Sequence, residues 1–358
     1  MTSSQKAVLF IDSFLNLEYK HKRAIINLYD DVCNLFNEPN LAINYLRTNC
    51  NKQISTAFEN AINSGLLDSL IEKYQSANIE IIDESSPYYP TRLLNLDFRP
   101  ICLYAKGKVE LLNSKNSFSI VGARKTQPLY LKMCEEFSQK LSSAGVTIVT
   151  GVAVGGDLSA LKGSVDSGKV ICVLAGGFSH IKNECNRDYI LKVIKNGLVI
   201  TEHPLEVIPR NYHYPVRNRI IAGLSDGVLI ASGQNTSGCR HTANYALDYG
   251  LEIFAFPYAP NEIYGELCNS LIKDGARICT QIEDIVEVMG YDIKNNQQLS
   301  LSKNEKLVYE LIKNGNNSVD DILSKSNLKI YELVPLLTSL EIKGVIVKKE
   351  GSEYGVLK

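Results

Sequence analysis

The residues best suited to chemistry in this chain lie in one segment, residues 210–224, with the sequence RNYHYPVRNRIIAGL. Its first ten residues include three arginines and three ring side chains, namely Arg210, Arg217, Arg219, Tyr212, His213 and Tyr214. Guanidinium groups bind phosphate oxygens and flat rings stack on unpaired bases, so the combination favours a single-stranded nucleic acid as the ligand. The alternative is a solvent-exposed loop that leads into a helix and pairs its arginines with nearby carboxylates.

Four glycine-containing segments could position an anion, because each one follows a short apolar run that is typical of a buried strand. They are residues 122–126 (GARKT), 151–157 (GVAVGGD), 176–178 (GGF) and 233–238 (GQNTSG). In an open α/β sheet, ligands bind beyond the carboxyl ends of the strands. We therefore expect these segments at one edge of a sheet. The alternative is a surface turn for the first segment and a tight turn for the third.

Particular residue types within the first two segments suit a phosphate. Arg124 and Lys125 follow a single glycine, a pattern that fits a phosphate beside a helix N-terminus. Gly155 and Gly156 let the backbone approach a ligand closely and expose its N–H groups. Asp157 is expected to cap the helix that follows, which is a structural role.

Catalytic and metal-binding patterns are weak in this sequence. Ser237 and Gly238 lie where an anion would meet free N–H groups at the start of a helix. His241 could act as a base for Ser237, but no acidic residue is placed to orient it, so a hydrolytic pair is disfavoured. The five histidines share no metal-ligand spacing, and there is no G-x-G-x-x-G motif. The sequence predicts a binding protein without catalytic residues, metal or cofactor.

Composition limits the class of protein. The chain has 358 residues, enough for two or three domains, and a formal net charge of −1. A nearly neutral chain binds nucleic acid through a local patch, which gives residues 210–219 more weight. The nine cysteines form no C-x-x-C pair, which is typical of reduced thiols, and the apolar runs are too short to span a membrane. We expect a cytoplasmic protein without a membrane contact.

The spacing of apolar residues predicts the elements that position these segments. Residues 1–80 have helical spacing and predict a small N-terminal helical domain, and residues 81–118 read as a proline-punctuated lead-in. From 119 to 290, β-branched runs of strand length alternate with amphipathic helices. This alternation predicts a doubly wound α/β domain, Rossmann-like, with a parallel sheet.

Residues 301–358 predict a third domain. Three helical patterns precede a hairpin that turns at Glu350–Gly351, which is the order of a winged helix. Its second and third helices have few basic residues beyond Lys325 and Lys329. A protein contact is therefore favoured over a DNA contact for this domain.

Five longer motifs occur in order along the predicted sheet domain. They read SIVGARKTQPLY, GVTIVTGVAVGGDLSALKG, YPVRNRIIAGLSDGVLIASG, TSGCRHTANYALDYG and CNSLIKDGA. Together with the lead-in and the winged-helix-like tail, they resemble the DNA-processing protein A family, also called DprA or Smf. The members of that family are bacterial proteins that bind single-stranded DNA during natural transformation and recombination.

The resemblance implies a domain that binds single-stranded DNA as a homodimer and transfers the strand to the RecA recombinase. It implies DNA-binding roles for the matching residues, which are Arg124, Lys125, Tyr214, Arg217, Asn218, Arg219, Ser237 and Gly238. Gly155 and Gly156 of the second glycine segment complete the candidate site. Two positions of the predicted pocket depart from the family pattern. Val154 replaces a usual basic residue, and the usual acidic residue is missing after the strand VLIASGQ.

An enzyme or sensor for a small nucleotide is the second class of function. Related Rossmann-like phosphoribohydrolases cleave nucleoside monophosphates at the same strand ends and have a P-G-G-x-G-T-x-x-E pattern. This chain reads TSGCRHTAN there and lacks the glutamate, which favours the DNA-binding protein.

Arg217 and Arg219 lie two residues apart at the start of a predicted helix, so their side chains point in different directions. We expect the apolar residues that follow them to be buried and to hold at least one of the arginines at the surface. One arginine would then bind a DNA phosphate. The other would order the loop, for instance against the carboxylate of Asp226.

Overall fold

The computed structural model describes residues 1–292, 302–326, 328–343, 345–349 and 353–356. Its contacts separate two compact units, Met1–Ile293 and Lys294–Lys358. All of the predicted site residues belong to the first unit.

Five helices precede the sheet. Their bounds are α1 (Ser3–Asp12), α2 (Tyr19–Asn27), α3 (Pro39–Asn49), α4 (Lys52–Asn63) and α5 (Leu66–Ser76). The first begins at a capping box, in which the Thr2 hydroxyl accepts from the Gln5 N–H at 3.2 Å and the Gln5 side chain accepts from the Thr2 N–H at 2.9 Å. Phe10 and Phe58 share a hydrophobic cluster with Val170 of the sheet. By contacts the helices and the sheet are one unit, and the domain boundary near residue 80 stays a prediction.

A nine-stranded sheet crosses the first unit. Its strands are β1 (Glu80–Asp83), β2 (Cys102–Gly107), β3 (Ser117–Val121), β4 (Thr147–Thr150), β5 (Val170–Val173), β6 (Leu198–Thr201), β7 (Gly227–Ile230), β8 (Glu252–Ala255) and β9 (Arg277–Ile278). Their order is β1-β2-β6-β5-β4-β3-β7-β8-β9, and the strands from β6 to β9 are parallel to one another. The predicted doubly wound α/β fold is confirmed.

Two strands differ from the expected all-parallel sheet that begins at residue 119. β1 pairs antiparallel with β2, and β2 pairs antiparallel with β6. Both strands lie in or beside the stretch 81–118, which the sequence analysis treats as a lead-in. Its prolines interrupt the chain only between the two strands, where a single turn of helix, α6 (Thr91–Leu94), also lies. The sheet therefore begins at Glu80, well before the predicted start.

Both faces of the sheet are covered, which explains why its strands are continuously apolar. In β2, Leu103 and Ala105 join one hydrophobic cluster, while Cys102 and Tyr104 join another. The remaining helices of this unit are α7 (Pro128–Ser143), α8 (Gly156–Ser164), α9 (Arg187–Asn196), α10 (His213–Gly223), α11 (Cys239–Asp248), α12 (Glu266–Lys273) and α13 (Glu283–Met289). No helix in the described ranges is both long and apolar enough to cross a membrane.

The strand order creates a crevice beside β3. This strand pairs with β4 on one side and with β7 on the other, so the connections that leave β3 and β7 run in opposite directions. Such a switch point is where ligands bind in open α/β sheets. The loops that follow β3, β4 and β7 contain three of the predicted anion-binding segments.

The second unit has its own small core. It consists of α14 (Lys303–Lys313), α15 (Val319–Ser326), α16 (Ile330–Ile342), β10 (Ile346–Lys348) and β11 (Tyr354–Val356). The two strands are antiparallel, and Val308, Leu333 and Leu340 are fully buried between the elements. This order of elements is the expected one. The predicted turn at Glu350–Gly351 lies outside the described residues, and the winged-helix assignment stays a prediction.

Candidate nucleic-acid interface

A cavity of about 330 Å³ lies at the switch point. Its walls are the loops that follow β3 and β4, the first turns of α10, and the start of α11. The predicted site residues that line it are Arg124, Tyr214, Arg217, Asn218, Ser237 and Gly238. Among the described residues, the other predicted members lie outside its walls, and they are Lys125, Gly155, Gly156 and Arg219. The structure thus brings three distant sequence segments to one cavity.

Arg124 is the exposed cation of the cavity wall. It lies in the loop after β3, which is held in shape by the Thr126 hydroxyl donating to the Ala123 carbonyl at 2.8 Å. The Ala123 N–H also donates to the Ser232 hydroxyl at 3.0 Å. Within residues 1–292, Arg124 forms no ion pair, so its guanidinium is available to an anionic ligand. Lys125 is equally exposed but lies outside the wall.

Arg217 lines the cavity but is almost fully buried, with 3% of its surface exposed. One of its Nη atoms donates to the carbonyl of Val173, at the end of β5, and its Nε donates to the Asn218 side chain at 3.1 Å. Burial lowers the pKa of Arg217, and the nearby carboxylate of Asp157 opposes that shift. The expectation that one of the two neighbouring arginines is held at the surface is therefore wrong, because Arg219 is buried as well.

Asp157 is the buried anion of the site. Its carboxylate accepts from the Gly122 N–H at 3.2 Å, and it also lines the cavity. Burial raises its pKa, while the guanidinium of Arg217 acts in the opposite direction. The prediction that Asp157 caps α8 is wrong, because the N-cap residue is Gly155. The Asp157 side chain instead joins the start of α8 to the loop after β3, through the Gly122 N–H.

Arg219 has a structural role. Its two Nη atoms donate to the two carboxylate oxygens of Glu202 at 2.8 and 2.5 Å, and its Nε donates to the Phe98 carbonyl at 2.9 Å. The suggested partner, Asp226, is wrong, since Asp226 pairs with Arg92 at 2.6 Å. Glu202 directly follows β6, so the bidentate pair fixes α10 to the carboxyl end of this strand.

Gly155 and Gly156 are required by packing between two loops. Gly155 has a φ of +107°, and a Cβ at this position would collide with the Ala123 carbonyl. A Cβ on Gly156 would lie 2.6 Å from the Cα of Gly122. The glycines therefore allow the loops after β3 and β4 to approach each other, which places Arg124 at the cavity.

Two hydroxyl groups in the cavity wall have no hydrogen-bond partner among the described residues. They belong to Ser237 and to Thr242, and Thr242 is fully buried. Unpaired buried hydroxyls are costly unless a ligand or water binds them. Thr242 is not among the site residues predicted from the sequence. The available signal was its place on the first turn of α11, after a segment already predicted to bind an anion.

The arrangement can bind an anion with an attached ring. It offers the exposed guanidinium of Arg124, the start of α11 and the ring of Tyr214. Asn218 joins two of these walls, because its amide donates to the Gly238 carbonyl at 3.2 Å. In the described ranges, no group of histidine, cysteine and acidic residues is arranged to hold a metal ion.

The chain is similar to known proteins along most of its length. One of them is DNA processing protein DprA of Bacillus subtilis, with 35% identity over 62% of this chain and 75% of that protein. Another is protein Smf of Escherichia coli, with 31% identity over 77% of each chain. The structure of DNA processing protein A from Streptococcus pneumoniae covers 80% of this chain and 98% of its own, with 25% identity and a TM-score of 0.65.

A further structure and a family profile match the region that forms the site. DNA processing protein A from Helicobacter pylori, whose structure gives insight into its single-stranded DNA binding mode, covers 60% of this chain and 96% of its own. Its sequence identity is 26% and its TM-score is 0.55. The profile described as DNA recombination-mediator protein A matches residues 80–290, which include all nine strands of the sheet and every wall of the cavity. The chain belongs to the DNA recombination-mediator protein A family.

Proposed function

We propose that the protein binds single-stranded DNA, with a nucleotide of the strand held in the cavity beside β3. The observation that carries this proposal is that one cavity combines the ring of Tyr214 and the start of α11 with Arg124, which forms no ion pair within residues 1–292. A phosphate would accept hydrogen bonds from the Arg124 guanidinium, and the ring of Tyr214 would contact the base. The single-stranded DNA binding mode of DNA processing protein A from Helicobacter pylori supports the same class of ligand.

We propose that the protein binds the strand in order to transfer it to a recombination partner. Because family members are described as recombination mediators, the partner that fits is the RecA recombinase, and we propose that the protein loads it while acting as a homodimer. Such a role belongs in the cytoplasm, where the DNA and the recombinase meet.

The proposed role is binding and not catalysis. Ser237 lines the cavity, but His241, the candidate base, is exposed and lies outside the cavity walls in the described part of the chain. Asp157 is engaged by the Gly122 N–H and by the charge of Arg217, so it supports the wall. These contacts favour a site that holds its ligand unchanged.

The test compares single-stranded and duplex oligonucleotides of the same sequence by fluorescence anisotropy. We expect the single strand to bind more tightly, because the described part of the first unit presents no base-reading helix and a duplex keeps its bases stacked. Arg124→Ala should weaken single-strand binding by about 1–3 kcal/mol and lower its salt slope by about 0.7.

Lys125→Ala is the matched control, since Lys125 has the same charge and is also exposed but lies outside the cavity wall. It should weaken binding much less than Arg124→Ala. Equal affinity for duplex and single strand, or equal losses in the two variants, would contradict the proposed site.

A further inference from the structure

The first residues of the arginine segment face a second cleft. The walls of the cavity beside β3 do not include Arg210, Tyr212 or His213. The next residue, Tyr214, does line that cavity. They line a cleft of about 720 Å³ that the start of α10 shares with the N-terminal helical region and with the loop after β6. The proposed cavity therefore uses only part of the arginine segment.

Four apolar side chains that line the cleft are exposed. The exposed fractions are 59% for Tyr212, 62% for Ile208, 57% for Leu15 and 44% for Val216. Contiguous apolar side chains at a surface indicate a binding site more often than isolated ones do. An exposed tyrosine ring beside aliphatic side chains is a suitable platform for an unpaired base.

The acidic side chains of the cleft are neutralised by partners. Those that form ion pairs are Asp12 with Lys22 at 2.9 Å, Glu202 with Arg219 at 2.5 Å, and Glu206 with Lys73 at 2.8 Å. Arg210 is exposed and forms no ion pair within residues 1–292. The charge that remains for a ligand is therefore positive, which fits a phosphate.

The histidines of the cleft contribute flat rings. The rings of His203 and His213 lie 4.4 Å apart, centroid to centroid, and His213 also contacts Tyr212 edge-on at the same centroid distance. Burial lowers the pKa of both histidines, so both are mainly neutral near pH 7. Two flat, mainly neutral rings thus lie next to Tyr212.

The cavity and the cleft lie on adjacent faces of one helix end. Tyr214, Arg217 and Asn218 face the cavity, and His213 and Val216 face the cleft. Both sets have the spacing of three or four residues that keeps side chains on one face of a helix. A helix is roughly 10 Å wide, so at about 3.4 Å per stacked nucleotide two or three nucleotides would cross it.

We propose that this cleft is a second subsite for the same DNA strand. The strand leaves the cavity, crosses the start of α10, and stacks a base on Tyr212 while Arg210 pairs with the adjoining phosphate. This inference rests on the proposed function of the cavity, and it assigns a role to the part of the arginine segment that the cavity does not use.

The test measures affinity against the length of oligothymidylate, from about four to about twenty nucleotides, around the site sizes of single-strand binding domains. Tyr212→Ala and Arg210→Gln should leave the shortest oligonucleotide bound as in the wild type. For longer strands each variant should lose roughly ten-fold or more in affinity. Tyr212→Ala removes one base stack, and Arg210→Gln removes one charged hydrogen bond to a phosphate. Tyr212→Phe keeps the ring and should bind like the wild type.

Tyr88→Ala is a control at an exposed tyrosine that lines neither the cavity nor the cleft, and it should change nothing. The subsite is refuted if Tyr212→Ala weakens short and long strands equally, or if it weakens neither. The subsite is also refuted if Tyr212→Ala changes the oligomeric state in light scattering but leaves the dependence of affinity on strand length unchanged. The cleft would then contact a second copy of the chain. The proposed role of the cavity is tested separately. If that role is wrong, Arg124→Ala will bind the shortest strand as tightly as the wild type does.

Discussion

Two arginines on α10, two residues apart, are held by different partners. Arg217 donates to the Val173 carbonyl beside the carboxylate of Asp157, and Arg219 binds both oxygens of Glu202. An unpaired buried charge is strongly destabilising, so each guanidinium is fixed by its partners whether or not a ligand is bound. Arg124 is not fixed in this way within residues 1–292, and it is therefore the cation to which the proposed function assigns a DNA phosphate.

The Arg219–Glu202 pair should contribute strongly to stability. Its side chains are 7% and 15% exposed, so Arg219→Ala leaves a mostly buried carboxylate unpaired and should lower the free energy of unfolding by about 3–5 kcal/mol. The matched control is Arg277→Ala, which removes the guanidinium from an exposed Arg–Glu pair, 49% and 46% exposed. Its effect should be about 0–1 kcal/mol. Urea denaturation followed by circular dichroism measures both, and equal effects would contradict the structural role of Arg219.

At the scale of elements, the site depends on how closely two loops approach. The loop after β3 carries Arg124, and the loop after β4 leads into α8 through Gly155 and Gly156. The N–H of Gly122 donates to Asp157 at the start of α8, so the two loops are also joined by a hydrogen bond. Any side chain at the two glycines would move the first loop away and shift Arg124 with it.

Gly155→Ala should therefore reduce both stability and DNA affinity. The control is Gly145→Ala, because Gly145 also has a positive φ, +92°, but has no atom within 4 Å of a Cβ. The positive φ alone strains an alanine in both variants, at a cost of about 1–3 kcal/mol each. Only Gly155→Ala adds a collision with the Ala123 carbonyl, so only this variant should weaken binding of a single-stranded oligonucleotide in anisotropy. Similar affinities for the two variants would show that the close approach does not position the site.

At the scale of the whole molecule, the chain consists of two compact units, and the described residues of the cavity and the cleft all belong to the first. The second unit has a separate core around Val308 and Leu333. On its three helices, basic residues are mixed with acidic ones, as on α15, which has Asp320 and Asp321 in its first turn and Lys325 in its last turn. The first unit is therefore expected to carry most of the affinity for single-stranded DNA.

Deletion of residues 301–358 should leave single-strand binding largely intact, because no wall residue of the cavity is removed. Anisotropy with the same single-stranded oligonucleotide measures the effect, and circular dichroism checks that the truncated chain is folded. A large loss of affinity in a folded truncated protein would assign the main DNA contact to the second unit.

The sequence by itself was sufficient for the fold class and for the location of the cavity. Apolar runs without alternation predict a covered parallel sheet, and glycines after such runs predict loops at its carboxyl edge. Both features are local, so they can be read from neighbouring residues. Six of the predicted site residues do line one cavity, because the segments that follow the parallel strands of one sheet must begin at the same edge. Whether these residues bind DNA stays a prediction.

Only the tertiary structure decided which side chains are free and which are paired. The partner of Arg219 is 17 residues away and that of Arg217 is 44 residues away, and nothing in their spacing selects Glu202 or Val173 over Asp226. Local spacing also does not predict that β2 pairs antiparallel with β1 and with β6. Nor does it predict that the Thr242 hydroxyl has no hydrogen-bond partner among the described residues. Pairing of a side chain depends on which distant segments the sheet order brings together. Local periodicity carries no information about that order.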